Sequence, residues 1–171
     1  MSEFRKATAS ELDEIMKIID DAKAFMKASG LNQWQDGYPN RESIAEDIKR
    51  GETYVLTRDG HIAATALVTL LGEPCYDVIE GEWKNSEPFV TVHKVAAASE
   101  LRGKGATSEM FSEIEKYALE NGMRNIKIDT HRDNLRMQGF LKKTGFEYCG
   151  VVEVFTFGND RKRMGFQKIL K

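Results

Sequence analysis

Two cations alternate with two glycines in Arg102-Gly103-Lys104-Gly105. This short stretch lies between an apolar run, Val90-Thr91-Val92-His93-Lys94-Val95-Ala96-Ala97-Ala98, and a segment with helical spacing. A strand that enters such a turn and leaves as a helix makes an anion site. The first helical turn has unpaired N–H groups and a partial positive charge, and glycines let the backbone come close to a ligand. With Arg102 and Lys104 beside it, the turn suits a phosphate or pyrophosphate. It is not a Walker A loop, because G-x-x-x-x-G-K-[ST] is absent. It is not a dinucleotide fingerprint either, because Ser108 stands where the third glycine of G-x-G-x-x-G belongs.

The elements that must position this turn are legible from periodicity. Thr107, Met110, Phe111, Ile114, Tyr117 and Ala118 form one helical face that stops at Asn121-Gly122. Upstream, Phe4 to Ala7 reads as a short strand. Thr8-Ala9-Ser10-Glu11 reads as a capping box for a helix that runs to about Ser29-Gly30 on Leu12, Ile15, Ile18, Ile19, Ala22, Phe25 and Met26. An irregular segment, Leu31 to Asn40, carries Trp34, Gln35 and Tyr38, and a second helix follows from Arg41 to Arg50. Thr53–Thr57 and His61–Val68 are predicted strands joined at Asp59-Gly60. Leu71 to Pro88, with Glu80, Glu82 and Trp83, reads mainly as a loop. Asn125–Thr130 is a predicted strand, Asn134–Thr144 a helix closed by Gly145, and Tyr148–Phe157 with Arg163–Ile169 a final hairpin. Hairpins followed by alternating strand and helix imply a single α/β domain around a mixed sheet.

Composition narrows the function classes. The 171 residues carry a net charge of −2, which gives no general electrostatic support for a nucleic-acid partner. The two cysteines, Cys75 and Cys149, are too few for a disulfide framework, and neither they nor the three histidines have metal-ligand spacing. No stretch reaches the length of a membrane span, and the first residues lack the apolar core of a signal peptide. The expectation is a cytoplasmic protein with no membrane, nucleic-acid or metal partner. Sheet edges and the final hairpin are the elements open to a homodimer.

The strand and turn resemble the GNAT acyl-CoA N-acyltransferases, whose Arg-x-x-Gly-x-(Gly/Ala) motif is matched by Arg102-Gly103-Lys104-Gly105-Ala106-Thr107, with Thr107 in the place of the last small residue. A second segment agrees: Asn134, followed by Lys143-Thr144-Gly145-Phe146 at the end of the next helix. The resemblance implies a mostly antiparallel, twisted sheet of six to seven strands flanked by about four helices. It also implies acetyl-CoA as cosubstrate. Arg102 to Thr107 would wrap the pyrophosphate, and main-chain groups near Val95 and Ala97 would pair with the pantetheine like an added strand. One N–H there would polarise the thioester carbonyl. Asn134 would hold a CoA amide or the surroundings of the attacking group. Lys142, Lys143, Arg132 and Arg136 read either as contacts to the ribose 3′-phosphate or as solvated helix charges.

Amine acylation needs a group to take the amine's proton, because an alkyl amine titrates near 10. His93, Glu80, Glu82 and Asp129 are the candidates. His93 lies on the donor strand and has an ordinary pKa near 6.5, so it reads either as the base or as a hydrogen-bonded strand histidine. Asp129 reads better as an anchor for the loop Thr130-His131-Arg132-Asp133. In many family members a tyrosine seven residues after the asparagine protonates the thiolate. Leu141 stands there in this chain, which leaves Tyr148 or Tyr117 as substitutes, or unassisted departure. Trp34, Tyr38, Glu80 and Trp83 are the expected acceptor-binding residues, although Trp34 and Tyr38 also suit packing. The implied reaction is direct transfer of acetyl to a primary amine on a small molecule or peptide. A non-catalytic acyl-CoA-binding module and a protein or peptide N-terminal acetyltransferase are the rival readings.

Overall fold

The computed structural model describes residues 1–155 and 158–171. Thr156 and Phe157, the last residues of the predicted strand Tyr148–Phe157, lie outside the described residues. The elements are β1 (Ser2–Lys6), α1 (Leu12–Ala28), α2 (Arg41–Lys49), β2 (Thr53–Arg58), β3 (His61–Thr69), β4 (Ile79–Gly81), β5 (Val90–Ala97), α3 (Ala106–Glu120), β6 (Asn125–Thr130), α4 (Leu135–Lys143), β7 (Glu147–Glu153) and β8 (Lys162–Ile169). Among the described residues the strands form one mixed sheet of eight, in the order β1-β2-β3-β5-β6-β8-β7-β4. The expected six to seven strands fell short because β4 has only three residues and no apolar alternation of its own.

The chain divides into two compact units, residues 1–68 with 93–116, and residues 69–92 with 117–171. In the first, β1 and β2 are antiparallel, and so are β2 and β3. The β2–β3 turn works because Asp59 (φ 50°) and Gly60 (φ 81°) are both left-handed, the backbone that a tight hairpin with native twist requires. The Glu11 carboxylate accepts from the Thr8 N–H at 2.8 Å, as the capping box predicted. One 3₁₀ turn, Ala9–Glu11, intervenes before α1 begins at Leu12. Ile15, Ile18 and Ile19 of α1 and Ile44 and Ile48 of α2 then bury against Val55, Ile62, Ala96 and Ala98.

In the second unit, β6 and β7 both run antiparallel to β8, and the first residues of β5 pair in parallel with β6 at Val90–Ile126 and Thr91–Lys127. Leu71 to Pro88, expected to be mainly loop, is largely irregular, but part of it is tied down as a strap. It comprises a 3₁₀ turn at Pro74–Tyr76 and then β4, which pairs antiparallel with β7. Gly81 and Gly150 face each other in that ladder, and a Cβ on either would run into the other strand's backbone. The strap is pinned to β6 and β8. Tyr76 Oη donates to Asp129 Oδ2 at 2.6 Å, the Lys84 N–H to Gln167 Oε1 at 2.8 Å, and Asn85 Nδ2 to Asn125 Oδ1 at 3.0 Å.

Candidate active site

In the first unit, β5 runs through a 3₁₀ turn at Ser99–Leu101 into the basic glycine turn and α3. Gly103 (φ 77°) and Gly105 (φ 82°) are left-handed, a conformation that costs any residue with a Cβ roughly 1–2 kcal/mol. No protein atom lies within 4 Å of where a Cβ would sit on either. Crowding therefore does not dictate glycine here. The backbone angle does, and it leaves open space in front of the turn. The Glu109 N–H makes an i→i−4 bond to Gly105 O at 3.0 Å, so the amides of Ala106, Thr107 and Ser108 precede the helix's own ladder. This is a cradle that fits a pyrophosphate.

Side chains brace the cradle from behind. Arg58, at the end of β2, holds Glu109 in the first turn of α3 through Nε at 3.0 Å and Nη2 at 2.5 Å, and reaches Lys104 O at 3.4 Å. The guanidinium keeps the Glu109 carboxyl below its usual range, with help from Ser2. Arg102 lays its guanidinium carbon 3.9 Å from the centroid of Phe25 on α1.

On β5, His93, Val95 and Ala97 are all half-buried. Between the first two sits Lys94, left-handed at φ 54° inside a strand. Its ammonium lies 2.5 Å from Asp47 Oδ2 and 4.7 Å from the centroid of Tyr38. Trp34 packs against the apolar cluster of α1 and α2.

The second unit holds the remaining candidates. Glu80 and Glu82 are exposed. Glu80 lies 4.0 Å from Lys162, and the Glu82 backbone N–H donates to Cys149 O at 3.0 Å. Trp83 serves the strap's packing: its Nε1 donates to Tyr76 O at 2.9 Å, and its ring lies 4.4 Å from the buried Lys127 ammonium, which also sits 4.0 Å from Phe89. Burial pushes the Lys127 pKa down and the Tyr76 pKa well up. Tyr148 is half-exposed and edge-on to Phe166 at 5.8 Å. Asn134 caps α4, with Oδ1 accepting the Met137 N–H at 3.1 Å. Leu141 is fully buried on α4.

Asp129 anchors Tyr76 of the strap, whereas the reading from spacing gave it the loop after β6. That loop is held by His131, which is fully buried. His131 Nδ1 accepts the Asp133 N–H at 3.1 Å, so Nε2 carries the proton toward Asp160 Oδ2 at 2.5 Å. The bond from His131 holds the Asp160 carboxyl below its usual range. Sequence reading missed His131–Asp160, Lys94–Asp47, Arg58–Glu109 and Tyr76–Asp129. Their partners are 29, 47, 51 and 53 residues apart, beyond any linear spacing rule. Among the described residues no group of His, Cys, Asp and Glu is arranged to hold a metal ion. No helix there is long and apolar enough to cross a membrane.

Residues 13–146 match the model of the acetyltransferase (GNAT) family. The fold is shared with a GNAT-family acetyltransferase of Streptococcus agalactiae 2603, at 35% identity and a TM-score of 0.83 over 99% of this chain and 96% of that one. It is shared with a putative acetyltransferase of Staphylococcus aureus Mu50, at 27% identity and a TM-score of 0.72 over 98% and 99%. The PaiA N-acetyltransferase of Thermoplasma acidophilum, solved in complex with coenzyme A, has the same fold at 14% identity, with a TM-score of 0.72 over 99% of each chain. No curated protein matches the chain. The family match over most of the chain and the similarity to the streptococcal structure place this protein in the GNAT acetyltransferase family, whose members use acetyl-CoA.

Proposed function

We propose that this acetyltransferase moves the acetyl group of acetyl-CoA to a primary amine by direct attack in a ternary complex. The observation that carries the donor half is the turn at Gly103 and Gly105, left-handed, open in front, and followed by the unladdered amides of Ala106 to Ser108. These amides and the Lys104 side chain hold the pyrophosphate, and the backbone of Val95 and Ala97 holds the pantetheine arm. Bound acetyl-CoA supplies an acyl group already activated as a thioester.

His93, two residues before Val95 on β5, takes the proton from the amine, with the exposed Glu82 as the acidic alternative. The buried Leu141 offers no proton, and an ordinary thiol pKa near 8.5 lets the thiolate leave without one; the half-exposed Tyr148 is the substitute acid in this reading. Direct transfer is supported by the two cysteines. Cys75 and Cys149 are buried and burial pushes both thiols up, so neither supplies a thiolate to carry the acyl group. For the acceptor, Glu80 and Glu82 are exposed carboxylates suited to a cationic amine. Tyr38 remains an acceptor candidate on the first unit, while Trp34 and Trp83 serve packing.

The test is thiol release from acetyl-CoA across polyamines, aminoglycosides, amino acids and peptides with free N-termini. Acceptor-dependent release is expected for at least one class. Tight CoA binding without any such release would favour the binding-module reading, and release confined to peptides the N-terminal acetyltransferase reading.

A further inference from the structure

Lys94 is the only non-glycine residue among the described residues that is left-handed inside a strand; Asp59 belongs to the hairpin turn and Trp34 to the irregular segment. Aspartate and asparagine support this conformation with a short side chain that bonds the nearby backbone, and lysine has no such means. What holds Lys94 lies elsewhere in the fold. Its ammonium meets Asp47 Oδ2 of α2 at 2.5 Å, and the two side chains are only 9% and 4% exposed. The face of Tyr38 covers it at 4.7 Å. Asp47 is itself fixed, since its Oδ1 accepts from Arg50 Nη2 at 2.7 Å, and Arg50 Nε is in turn held by Glu52 at 2.7 Å. The Tyr38 segment is tied down by Lys23, which donates to Pro39 O, and by the Asn40 cap of α2, whose Oδ1 accepts the Ser43 N–H at 2.8 Å. A buried ion pair is a weak source of stability but a strong geometric constraint, because neither charge can leave without the other.

We infer that Lys94 is a positioning residue: the clamp formed by Asp47 and Tyr38 holds the left-handed kink in β5 and so aims the two residues beside it, His93 and the backbone of Val95. This rests on the roles given to those two residues above. The kink is stored backbone strain placed between two groups of the reaction, and the side chain rather than the local sequence maintains it. Displacement of a reacting group by about 1 Å can cost about 10²-fold in rate, so a modest relaxation of β5 is enough to be read in turnover.

The test compares Lys94→Met with Lys94→Gly. Both remove the ammonium, but glycine adopts a positive φ unaided. Lys94→Met is expected to lower kcat by at least about tenfold with the Kd for acetyl-CoA within about threefold of wild type, as a loss of alignment would. Lys94→Gly is expected to recover most of that kcat even though it loses more packing. A purely structural role predicts the reverse, with glycine as slow as methionine or slower and both tracking the melting temperature; that result overturns the inference, as does wild-type kcat in Lys94→Met. Should Lys94→Met fail to fold, Asp47→Asn is compared with the Asp47→Asn, Lys94→Gly double variant. Recovery in the double variant supports the clamp and its absence refutes it. A wild-type chain that binds acetyl-CoA but turns over no amine removes the functional reading and this inference with it. Normal wild-type turnover with insensitive variants removes this inference alone.

Discussion

Replacing Gly105 by valine tests the donor site with the least disturbance to the fold. At φ 82° a β-branched residue is strained, at about 1–3 kcal/mol, but no protein atom lies within 4 Å of the new Cβ and no clash is added. Against a typical stability of about 5–15 kcal/mol the variant stays folded. The side chain instead fills the space in front of the turn. Hydrogen bonds to a charged group contribute about 1.5–3 kcal/mol each, so losing two backbone contacts to a pyrophosphate costs about 3–6 kcal/mol, or about 10²–10⁴ in Kd. Calorimetric titration with CoA and with pantetheine, which lacks the pyrophosphate, separates the two effects, with a urea melt alongside. CoA affinity should collapse, pantetheine affinity should change little, and the melt should shift by no more than the strain. Unchanged CoA affinity, or an equal loss for pantetheine, would refute the assignment of the turn.

Three further expectations follow from the anchors. Arg5 grips Glu11 at 2.6 and 3.1 Å, and with the Thr8 N–H it holds that carboxyl down to about 2 from an ordinary 4.5. The folded pKa is depressed, so the stabilisation is complete above about pH 4.5 and is lost as pH falls toward 2. Glu11→Gln should cost about 1–3 kcal/mol at pH 7 and flatten the acid limb of a stability–pH curve, and an acid limb parallel to wild type would contradict this. Arg58→Ala releases Glu109 and Lys104 O from behind the turn. A stability loss of about 1–2 kcal/mol and a CoA Kd raised about three- to tenfold are expected by urea melt and titration, and an unaltered Kd would show that the turn needs no brace. Leu141→Tyr restores the family's tyrosine at a fully buried site, so overpacking should cost about 1–3 kcal/mol without raising kcat; faster turnover at wild-type stability would sink that reasoning.

The parts that were legible in the sequence are those whose physics is local. The faces of α1 and α3, the Asp59-Gly60 turn and the apolar run of β5 each announce themselves within a dozen residues, and the glycine turn declares its backbone through residues that alone tolerate it. The strap over β6 and β8 is different. The partner of β4 is β7, about 70 residues on, and their pairing is made through backbone at Gly81 and Gly150, which leaves no side-chain pattern to read. Trp83 looked like an acceptor residue because an aromatic among polar neighbours usually meets a ligand. Its neighbours are Tyr76 O and the Lys127 ammonium, which only the folded β6 brings under it. The Lys94 kink was hidden for a related reason: a left-handed position is ordinarily marked by glycine or asparagine, and here the marker is a carboxylate 47 residues away.

These anchors bear on how the proposed donor site would select its ligand. The cations on or near the donor elements are largely spent on the protein itself: Arg58 on Glu109, Lys94 on Asp47, and Arg102 on the face of Phe25. That leaves Lys104, exposed in the turn, as the cation of the motif with no ion pair drawn to it among the described residues. In the proposed donor site, recognition of the pyrophosphate would then fall mainly to backbone amides, whose directions are set by φ at Gly103 and Gly105. A site of that kind discriminates by the geometry of its acceptor oxygens more than by net charge, since amide dipoles are short-ranged where free cations are not. On this proposal a chain with no excess of positive charge would hold a polyanionic cosubstrate because the positive ends of a few oriented amides do locally what a basic surface would do diffusely, without attracting every anion in solution.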